Sequence, residues 1–341
     1  MTAAPEHPSR ASIKDVARLA GVSAQTVSRV ANGYVHVSDA LRERVLASMQ
    51  ELGYRPNSAA RNLKSGRFHS IGLVTFNITA LGNQRTLGAV AEAATRAGYT
   101  TTLIPVSDPT GGNLAGAFGR LQEQAVDGII LLMSAKINSP HDLALTDGVP
   151  LVVVDSDPTS QYTLVDTDQE QGARLAMQHL FDLGHRRIAH VAGPDDSFSA
   201  RHRAEAYSRF MREHDLEAPE ILRGDWSAAS GRAAGESLLG GDHPPTAVFV
   251  ANDEMALGLL SAAHRRGLSV PAQLSVVGFD DSPDGAGFWP SLTSVHQNFA
   301  AVGQRATAIL LAMIDGDPIP ENPLIPTSLV VRDSTAAPAA R

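Results

Sequence analysis

The sequence predicts an α-helical head joined to an α/β body of two lobes, each built on a parallel sheet. Apolar residues recur at helical spacing over residues 12–49. From residue 70 onward, short apolar runs alternate with helical segments, and this alternation implies parallel sheets with helices on both faces. The 341 residues are enough for two or three folding units of about 100–200 residues each.

The composition is that of a globular protein without disulfides. Hydrophobic residues make up 43% of the chain and there is no cysteine, which excludes thiol catalysis and cysteine-ligated metals. The longest apolar runs, such as residues 128–133 and 149–154, are far shorter than the roughly 18–20 residues that span a bilayer. Residues 1–10 lack the apolar segment of a secretory signal and are expected to form a disordered tail. We therefore expect a cytoplasmic protein with no membrane partner.

Charge is distributed unevenly along the chain. Residues 1–69 contain ten Lys and Arg against five Asp and Glu, whereas residues 70–341 contain 18 against 31. A basic head on an acidic body is typical of a nucleic-acid-binding sensor, because phosphate attraction is needed at one end only.

Residues 11–56 are expected to form a helix-turn-helix domain. The first helix ends at Gly21, and Ser23 caps the second. Two short helices separated by a glycine-containing turn are typical of this motif, whose second helix fits the major groove. A third helix, capped by Ser38, would close the core with Leu41, Val45, Leu46 and Met49.

The second helix carries the predicted DNA contacts. Gln25 on its first turn and Arg29 one turn later are candidates for base edges, since Gln–adenine and Arg–guanine pairs are bidentate. Thr26, Ser28 and Asn32 are better placed for phosphates. The same helical pattern also fits an ordinary three-helix bundle with a polar outer face.

Residues 57–69 are predicted to be a linker with a short hinge helix. Pro56 ends the third helix, and the one or two helical turns that follow would be marginal in isolation. Leu63 lies among basic residues, where an apolar side chain could wedge into a base step of the minor groove. The alternative is a tether whose Leu63 packs on the body.

Polar side chains follow several predicted strands of the body, where open parallel sheets bind ligands. Carboxylate, amide and guanidinium groups bond adjacent hydroxyls, and an aromatic face covers the apolar side of a sugar ring. The set therefore predicts a neutral polyhydroxylated ligand, although an Asp after a strand is commonly a helix cap and a Trp is commonly core. The candidates are Asp155, Ser199, Arg203, Trp226, Asn252 and Asp280. The predicted strands are residues 70–76, 100–106, 128–133, 151–155, 187–192, 247–251 and 275–279.

Motifs for catalysis are not found. The chain has no Gly-x-Ser-x-Gly elbow, no Gly-x-x-x-x-Gly-Lys loop, no dinucleotide-binding glycine motif after its first strand and no His-Glu-x-x-His. The 12 histidines are scattered, and His185 and His190 have no third ligand in register. We therefore expect no enzyme activity, no cofactor and no metal.

Seven motifs occur in order along the chain: Asp15-Val-Ala-Arg-Leu-Ala-Gly-Val-Ser23, Thr26-Val-Ser-Arg-Val30, Gly53-Tyr-Arg-Pro-Asn57, Gly184-His-Arg-Arg-Ile188, Ala251-Asn-Asp-Glu-Met-Ala-Leu-Gly258, Ser275-Val-Val-Gly-Phe-Asp-Asp281 and Leu292-Thr-Ser-Val295. Over about residues 11–333 the chain thereby resembles the lactose/galactose repressor family of bacterial transcription regulators. Residues 24–29, 224–227 and 296–299 resemble its lactose-repressor branch beyond the general pattern.

The resemblance implies a sequence-specific regulator, released from double-stranded operator DNA by a small sugar effector of hexose or galactoside type. It implies an effector site that carries Gln297 and Phe299 besides the six residues above, and it makes Leu63 the hinge wedge. The body would be a two-lobed periplasmic-binding-protein-like core. Its first lobe would comprise residues 70–167 and 296–326 and its second lobe residues 168–295 and 327–335, with a tail at 336–341.

The chain also departs from the family pattern. Ala24 stands where the lactose-repressor branch has an aromatic base-contacting residue, so the operator half-site should differ or be read less tightly. Residues 75–86 match the family pattern poorly, so the identity of the sugar and of its aglycone stays open. Residues 333–341 lack the apolar heptads that assemble tetramers, so we expect a homodimer. Three alternatives stay open: a purine or nucleoside corepressor in the same architecture, a sugar-binding transport protein, and a sugar-modifying enzyme.

Overall fold

The computed structural model describes residues 11–31, 34, 36–55, 66–106, 111–133, 148–156, 162–321 and 324–339. The chain divides after Phe68 into two compact units, a head and a body. Asn32, Leu63 and most of the predicted linker lie outside the described residues.

The head contains helices α1 (Ile13–Ala20), α2 (Ala24–Ala31) and α3 (Asp39–Glu51). A capping box begins α1, because the Ser12 hydroxyl accepts the Asp15 N–H at 3.3 Å and the Asp15 carboxylate accepts the Ser12 N–H at 2.9 Å. The helix ends at Gly21, whose φ of +62° suits glycine. The Ser23 hydroxyl then caps α2 by accepting the Thr26 N–H at 3.1 Å. The predicted helix-turn-helix is thus present.

The head core is smaller than predicted. Val45 and Met49 of α3 are buried, but Leu46 is 48% exposed and Leu41 is only half-buried. Val45 and Met49, one turn apart, already form the face of α3 that packs on α1 and α2, so the neighbouring Leu46 points away from it. Ser38 occupies the N-cap position of α3 without a side-chain capping bond. The prediction that Leu46 belongs to the core was therefore wrong, whereas Ser38 is the N-cap residue of α3 as predicted.

The first lobe of the body is a parallel sheet with helices on both faces. Its elements are β1 (Ser70–Phe76), α4 (Leu81–Arg96), β2 (Thr100–Val106), α5 (Gly111–Glu123), β3 (Gly128–Leu132), β4 (Leu151–Val154) and β5 (Thr163–Val165). The strand order is β2-β1-β3-β4-β5, with Leu73 of β1 paired to Leu103 of β2 and Ile130 of β3. Apolar clusters cover both faces, as expected for strands that read as continuous apolar runs.

The second lobe repeats this design with six strands. Its elements are α6 (Gln169–Asp182), β6 (Ile188–Ala192), α7 (Phe198–Glu213), β7 (Leu222–Arg223), α8 (Ala228–Leu238), β8 (Ala247–Val250), α9 (Asp253–Arg265), β9 (Ser275–Asp280), β10 (Thr293–His296) and β11 (Ser328–Val330). The order is β11-β10-β9-β8-β6-β7. The pairs are parallel except for the edge strand β11, which runs antiparallel to β10. All seven predicted strands are found in the two sheets, within one residue of their predicted bounds.

The described chain crosses between the lobes at three places. The first lies between β5 and α6. The second follows β10, because the next helix, α10 (Phe299–Asp315), packs against α4 and the first sheet. The third precedes β11, since Ile325 is buried in the first-lobe core and bridges to Thr167. His296 belongs to the second sheet, and the predicted lobe boundaries stay predictions.

The close contact between α8 and α9 yields a stability prediction. A Cβ built on Gly258 would lie 1.9 Å from the Ala228 carbonyl oxygen, whereas one built on Gly88, also within a helix, would meet nothing within 4 Å. We expect Gly258→Ala to destabilise the body by about 1–3 kcal/mol or more, because backbone must move. Gly88→Ala should stabilise it by about 0.5–1 kcal/mol. Denaturant unfolding of both variants checks this, and equal stability of the two would contradict the packing described.

Candidate functional site

Helix α2 presents the two predicted base-reading residues to solvent. Gln25 and Arg29 are both exposed on its outer side, whereas Val27 and Val30 on the opposite side are buried in the head core. The helix therefore has one face for the core and one polar face free for a groove, as DNA-reading helices require.

The residues predicted to contact phosphates differ in their exposure and in their hydrogen bonds. Thr26 and Ser28 are half-buried, and the Thr26 hydroxyl lies 2.9 Å from the Ser23 hydroxyl. Thr26 thus takes part in the cap of α2 in addition to any role on DNA. Asn32 and Leu63 lie outside the described residues, so their assignments stay predictions.

In the body, the carboxyl ends of strands from both sheets border a cleft of about 410 Å³. Strands β1, β3 and β4 end there from the first lobe, and β6, β8 and β9 from the second. This is the position at which open parallel sheets bind ligands. All of the residues predicted for effector binding line this cleft, namely Asp155, Ser199, Arg203, Trp226, Asn252, Asp280, Gln297 and Phe299.

Arg203 of α7 is the buried cation of the cleft, with a side chain only 4% exposed. Its guanidinium carbon lies 3.7 Å from the centroid of the Phe279 ring. The Nε group donates to Oε1 of Gln169 at 2.9 Å, and Nη1 donates to the Ala251 carbonyl. Burial lowers the pKa of Arg203, and nearby carboxylates, Asp280 first, oppose that shift. The guanidinium is held rigidly by these contacts.

Two glutamine amides connect Arg203 to Asp280. Nε2 of Gln169 donates to Oε1 of Gln297 at 3.3 Å, and Nε2 of Gln297 donates to Oδ1 of Asp280 at 2.6 Å. That Oδ1 atom lies 4.0 Å from Nη1 of Arg203. The four side chains form a closed circuit, which we call the amide circuit. Burial raises the pKa of Asp280 to about 6, although Arg203 and the bond from Gln297 act in the opposite direction.

Asp155, directly after β4, carries an unsatisfied oxygen. Its Oδ1 is closed off from solvent and accepts no hydrogen bond from the described residues. Burial raises the pKa of Asp155 to about 6, while Arg203 and hydrogen bonds from Ser199 lower it. The pKa of buried Asp166 is raised as well, first by burial and then by the charge of Asp155. Buried acceptors without a donor are rare in folded proteins, and this one belongs to a residue of the cleft wall.

Trp226 is held by backbone contacts on two sides. Its ring packs on Gly193, where a Cβ would come within 2.4 Å of the indole. Nδ2 of Asn252 donates to the Trp226 carbonyl at 3.0 Å, and Oδ1 of Asn252 caps α9 by accepting the Met255 N–H at 3.0 Å. Asn252, predicted to bind ligand, therefore also has a structural role that fixes the aromatic wall.

The first lobe supplies a more apolar wall that includes Phe76 and Phe299. Arg85 of α4 lies with its guanidinium carbon 5.6 Å from the centroid of the Phe299 ring. Its Nη1 also reaches the Asp281 carbonyl at 3.5 Å, so a first-lobe side chain contacts the second lobe beside the cleft. Nδ2 of Asn83 donates to the Phe76 carbonyl at 2.7 Å and thereby shapes the turn after β1.

Sequence reasoning missed several residues of this site. Gln169 and Asp166 line the cleft, and Gln169 is bonded directly to Arg203. The signal that could have found them is the N-cap Asp168, whose carboxylate accepts the Gln171 N–H at 2.8 Å. A helix start at that point places residues 166–169 at a strand end.

Neither a metal-binding cluster nor a membrane-spanning helix is found among the described residues. No group of three or more His, Asp or Glu side chains among them is arranged to hold a metal ion. None of the described helices combines the length and hydrophobicity needed to cross a membrane.

Comparisons with known proteins agree with this architecture. Residues 12–57 match the family described as bacterial regulatory proteins, lacI family, and residues 177–335 match a periplasmic binding protein-like domain. The chain is 36% identical over 331 residues to the lactose operon repressor of Escherichia coli (strain K12), which covers 95% of this chain and 90% of that protein. It is also 36% identical over 315 residues to the HTH-type transcriptional repressor PurR of Vibrio cholerae serotype O1 (strain M66-2), covering 89% of this chain and 91% of that protein.

Among solved structures, the Lac repressor dimer bound to operator and the anti-inducer ONPF superposes with a TM-score of 0.87 at 35% identity, over 96% of this chain and 99% of that chain. A helix-turn-helix head together with a two-lobed effector cleft defines a ligand-responsive transcription regulator. The chain belongs to the lacI family of bacterial regulatory proteins.

The raised pKa of Asp155 gives a pH-dependent stability prediction. The pKa of this carboxyl is about 6 in the folded state and near its usual value of about 4 when the chain is unfolded. Its ionisation therefore destabilises the fold above pH about 6, and this penalty disappears below pH about 4. Asp155→Asn should therefore raise the free energy of unfolding by up to about 3 kcal/mol at pH about 8, with a gain that vanishes on acidification.

Thermal or denaturant unfolding of wild type and variant across this pH range measures the difference. Asp196→Asn removes an exposed carboxylate from the same cleft and should change stability little at any pH. A gain for Asp155→Asn that does not vary with pH would contradict the assignment of a buried, penalised carboxylate.

Proposed function

We propose that this chain represses transcription by binding a pseudo-palindromic operator in double-stranded DNA as a homodimer, and that a small sugar in the cleft releases it. The polar outer face of α2 supports the DNA-binding part. The solved relative that is a dimer bound to operator supports the assembly. Two heads related by a two-fold axis would read two half-sites of one operator, in the cytoplasm, where the chromosome lies.

The excess of acidic residues in the cleft is the observation that favours a neutral effector. Among the described residues that line it, Asp155, Asp166, Asp196, Asp225 and Asp280 are acidic and Arg203 is basic. Such a surface repels phosphates and carboxylates and favours neutral groups that donate hydrogen bonds to carboxylates. A hexose or galactoside meets this requirement, since its hydroxyls can both donate and accept, and the Trp226 ring can cover its apolar face.

The coupling between effector and operator requires two arrangements of the dimer. Sugar in the cleft contacts Asp155 of the first lobe and Asp280 of the second, so it favours one relative position of the lobes. If operator binding favours another, the two ligands oppose each other with a coupling free energy of about 1–3 kcal/mol, as is typical of allosteric proteins.

A purine or nucleoside corepressor is the second candidate. It is favoured by the similarity to the HTH-type transcriptional repressor PurR, which is as high in percentage identity as the similarity to the lactose operon repressor. Such a ligand would also be neutral and could stack on Trp226, and it would strengthen operator binding instead of weakening it. A sugar-binding transport protein and a sugar-modifying enzyme explain no feature of the head.

Replacing the first predicted base reader tests the DNA interface. We expect Gln25→Ala to lose discrimination at one base pair of the half-site, by about 1–3 kcal/mol, because a bidentate contact disappears. Fluorescence anisotropy against a selected operator and its single-base variants, at one fixed salt concentration, measures this.

Gln50→Ala is the matched control, since Gln50 is an exposed glutamine of α3 outside the reading helix. It should leave the base preference unchanged. If Gln25→Ala weakened binding to every sequence by the same factor, Gln25 would be a phosphate contact and not a base reader.

Calorimetric titration against a panel of mono- and disaccharides, with hypoxanthine and guanine as the purine arm, tests the effector assignment. We expect a sugar to bind and to lower operator affinity, and Trp226→Ala to weaken it about tenfold or more, because the apolar sugar face loses its cover. Trp289→Ala, which removes a tryptophan that is 97% exposed, is the control. A wild-type protein that binds a purine and ignores every sugar would exclude the sugar proposal in favour of the corepressor.

A further inference from the structure

The hydrogen-bond directions in the amide circuit are fixed by its two charged ends. Arg203 has donors only, so the oxygen of the Gln169 amide must face it. The amino group of Gln169 then faces Oε1 of Gln297 and the carboxyl of Asp166, to which it is hydrogen-bonded. Gln297 in turn directs its amino group to Asp280. Turning either amide around would set like groups against each other.

Gln169 occupies the one position in the circuit that touches both the cation and the second amide. Its side chain is buried, with 5% of the residue exposed, and Gln297 is buried to a similar degree at 6%. Water therefore cannot readily replace either partner, and an unmade bond at such a site carries its full desolvation penalty. The orientation of Gln169 thus controls the groups that Arg203 and Asp280 leave available.

We propose that Gln169 is a positioning residue of the cleft, which holds Arg203 as a donor and Asp280 as an acceptor toward one and the same ligand. Nη2 of Arg203 and Oδ2 of Asp280 have no hydrogen bonds to the described residues. The pair suits two neighbouring hydroxyls, one that accepts from Arg203 and one that donates to Asp280. The ligand chemistry in this proposal, a vicinal diol, rests on the proposed function, whereas the amide circuit itself does not.

The circuit is tested first without ligand, by a double-mutant cycle in the full chain. Gln169→Met and Gln297→Met keep side-chain length and remove the amides, and each single change leaves the other amide unpaired. We expect the double variant to lose less stability than the sum of the two single variants, by about tenfold in the unfolding equilibrium constant. Additive losses in denaturant unfolding would overturn the proposal, whatever the effector proves to be.

The positioning role is tested by Gln169→Glu, with the pH profile of ligand affinity as the readout. The charged groups at position 169 are Arg203 of α7 and Asp166 of the first lobe. Asp280, Asp155 and Asp253 lie around Arg203 in turn. When it is protonated, the introduced carboxyl can accept from Arg203 and donate to Gln297, as the amide does. When it is ionised, the introduced carboxylate has no proton to donate, yet it still faces the Asp166 carboxyl and the acceptor oxygen Oε1 of Gln297.

We therefore expect this variant to bind the sugar found by titration about tenfold more weakly than wild type at pH about 8, and to regain wild-type affinity near pH about 5. Gln124→Glu, an exposed position, should follow the wild-type profile throughout. Equal weakening at every pH would show that Gln169 only fills space, and would overturn the positioning role. Should no sugar bind the wild type, the proposed function fails, and the double-mutant cycle still decides whether the circuit exists.

Discussion

The cleft is organised by the need to bury one guanidinium. Taking the charge of Arg203 out of water is unfavourable by several kcal/mol unless carboxylates and hydrogen bonds offset the loss of hydration. Asp280 of the second lobe and Asp155 and Asp166 of the first lobe supply that compensation together. Burial is the main cause that raises the pKa values of these three carboxyls, and as acceptors they outnumber the single cation. This excess of acceptors is the property that favours a ligand with hydroxyl groups to donate.

The same arrangement explains how a ligand could influence the lobes. Arg203 belongs to the second lobe, yet two of the carboxylates that stabilise it come from the first, and Gln297 lies where the chain passes from β10 into α10. A change in the separation of the lobes therefore changes the electrostatic free energy of the buried charge. A ligand that bonds to Asp155 and Asp280 at once takes part in that balance, which is the differential interaction that allosteric coupling requires. The contact of Arg85 with the Asp281 carbonyl adds a second link of this kind.

Much of this organisation could be predicted from the sequence, because the ends of the strands can be recognised in it. Asp155, Asn252 and Asp280 come at the ends of apolar runs in the sequence. In the structure the strands end at these positions, and the cleft lies there. Gln169 and Asp166 could not be found in this way, because β5 before them has only three residues, too few for a periodicity. The side to which Leu46 turns was also unpredictable, since α3 offers alternative apolar positions and tertiary packing selects among them. Pairwise bonds such as the amide circuit depend on side chains that are 128 residues apart, which no local pattern encodes.

Several residues of the cleft have backbone conformations that lower the stability of the fold. Many turns of the fold place glycine where φ is positive, as at Gly98 and Gly316, and glycine is unstrained there. Half of the described non-glycine residues with positive φ instead line the cleft: Asn77, Asp155, Trp226 and Asp280. Such conformations disfavour larger side chains by about 1 kcal/mol or more, and glycine would relieve them. Because carboxylates and an indole occupy these positions, and one buried carboxylate oxygen there has no donor among the described residues, the cleft gives up stability for side-chain chemistry. Strained backbone and an unsatisfied acceptor at one place are what a surface shaped by ligand binding is expected to show, since packing alone would favour neither.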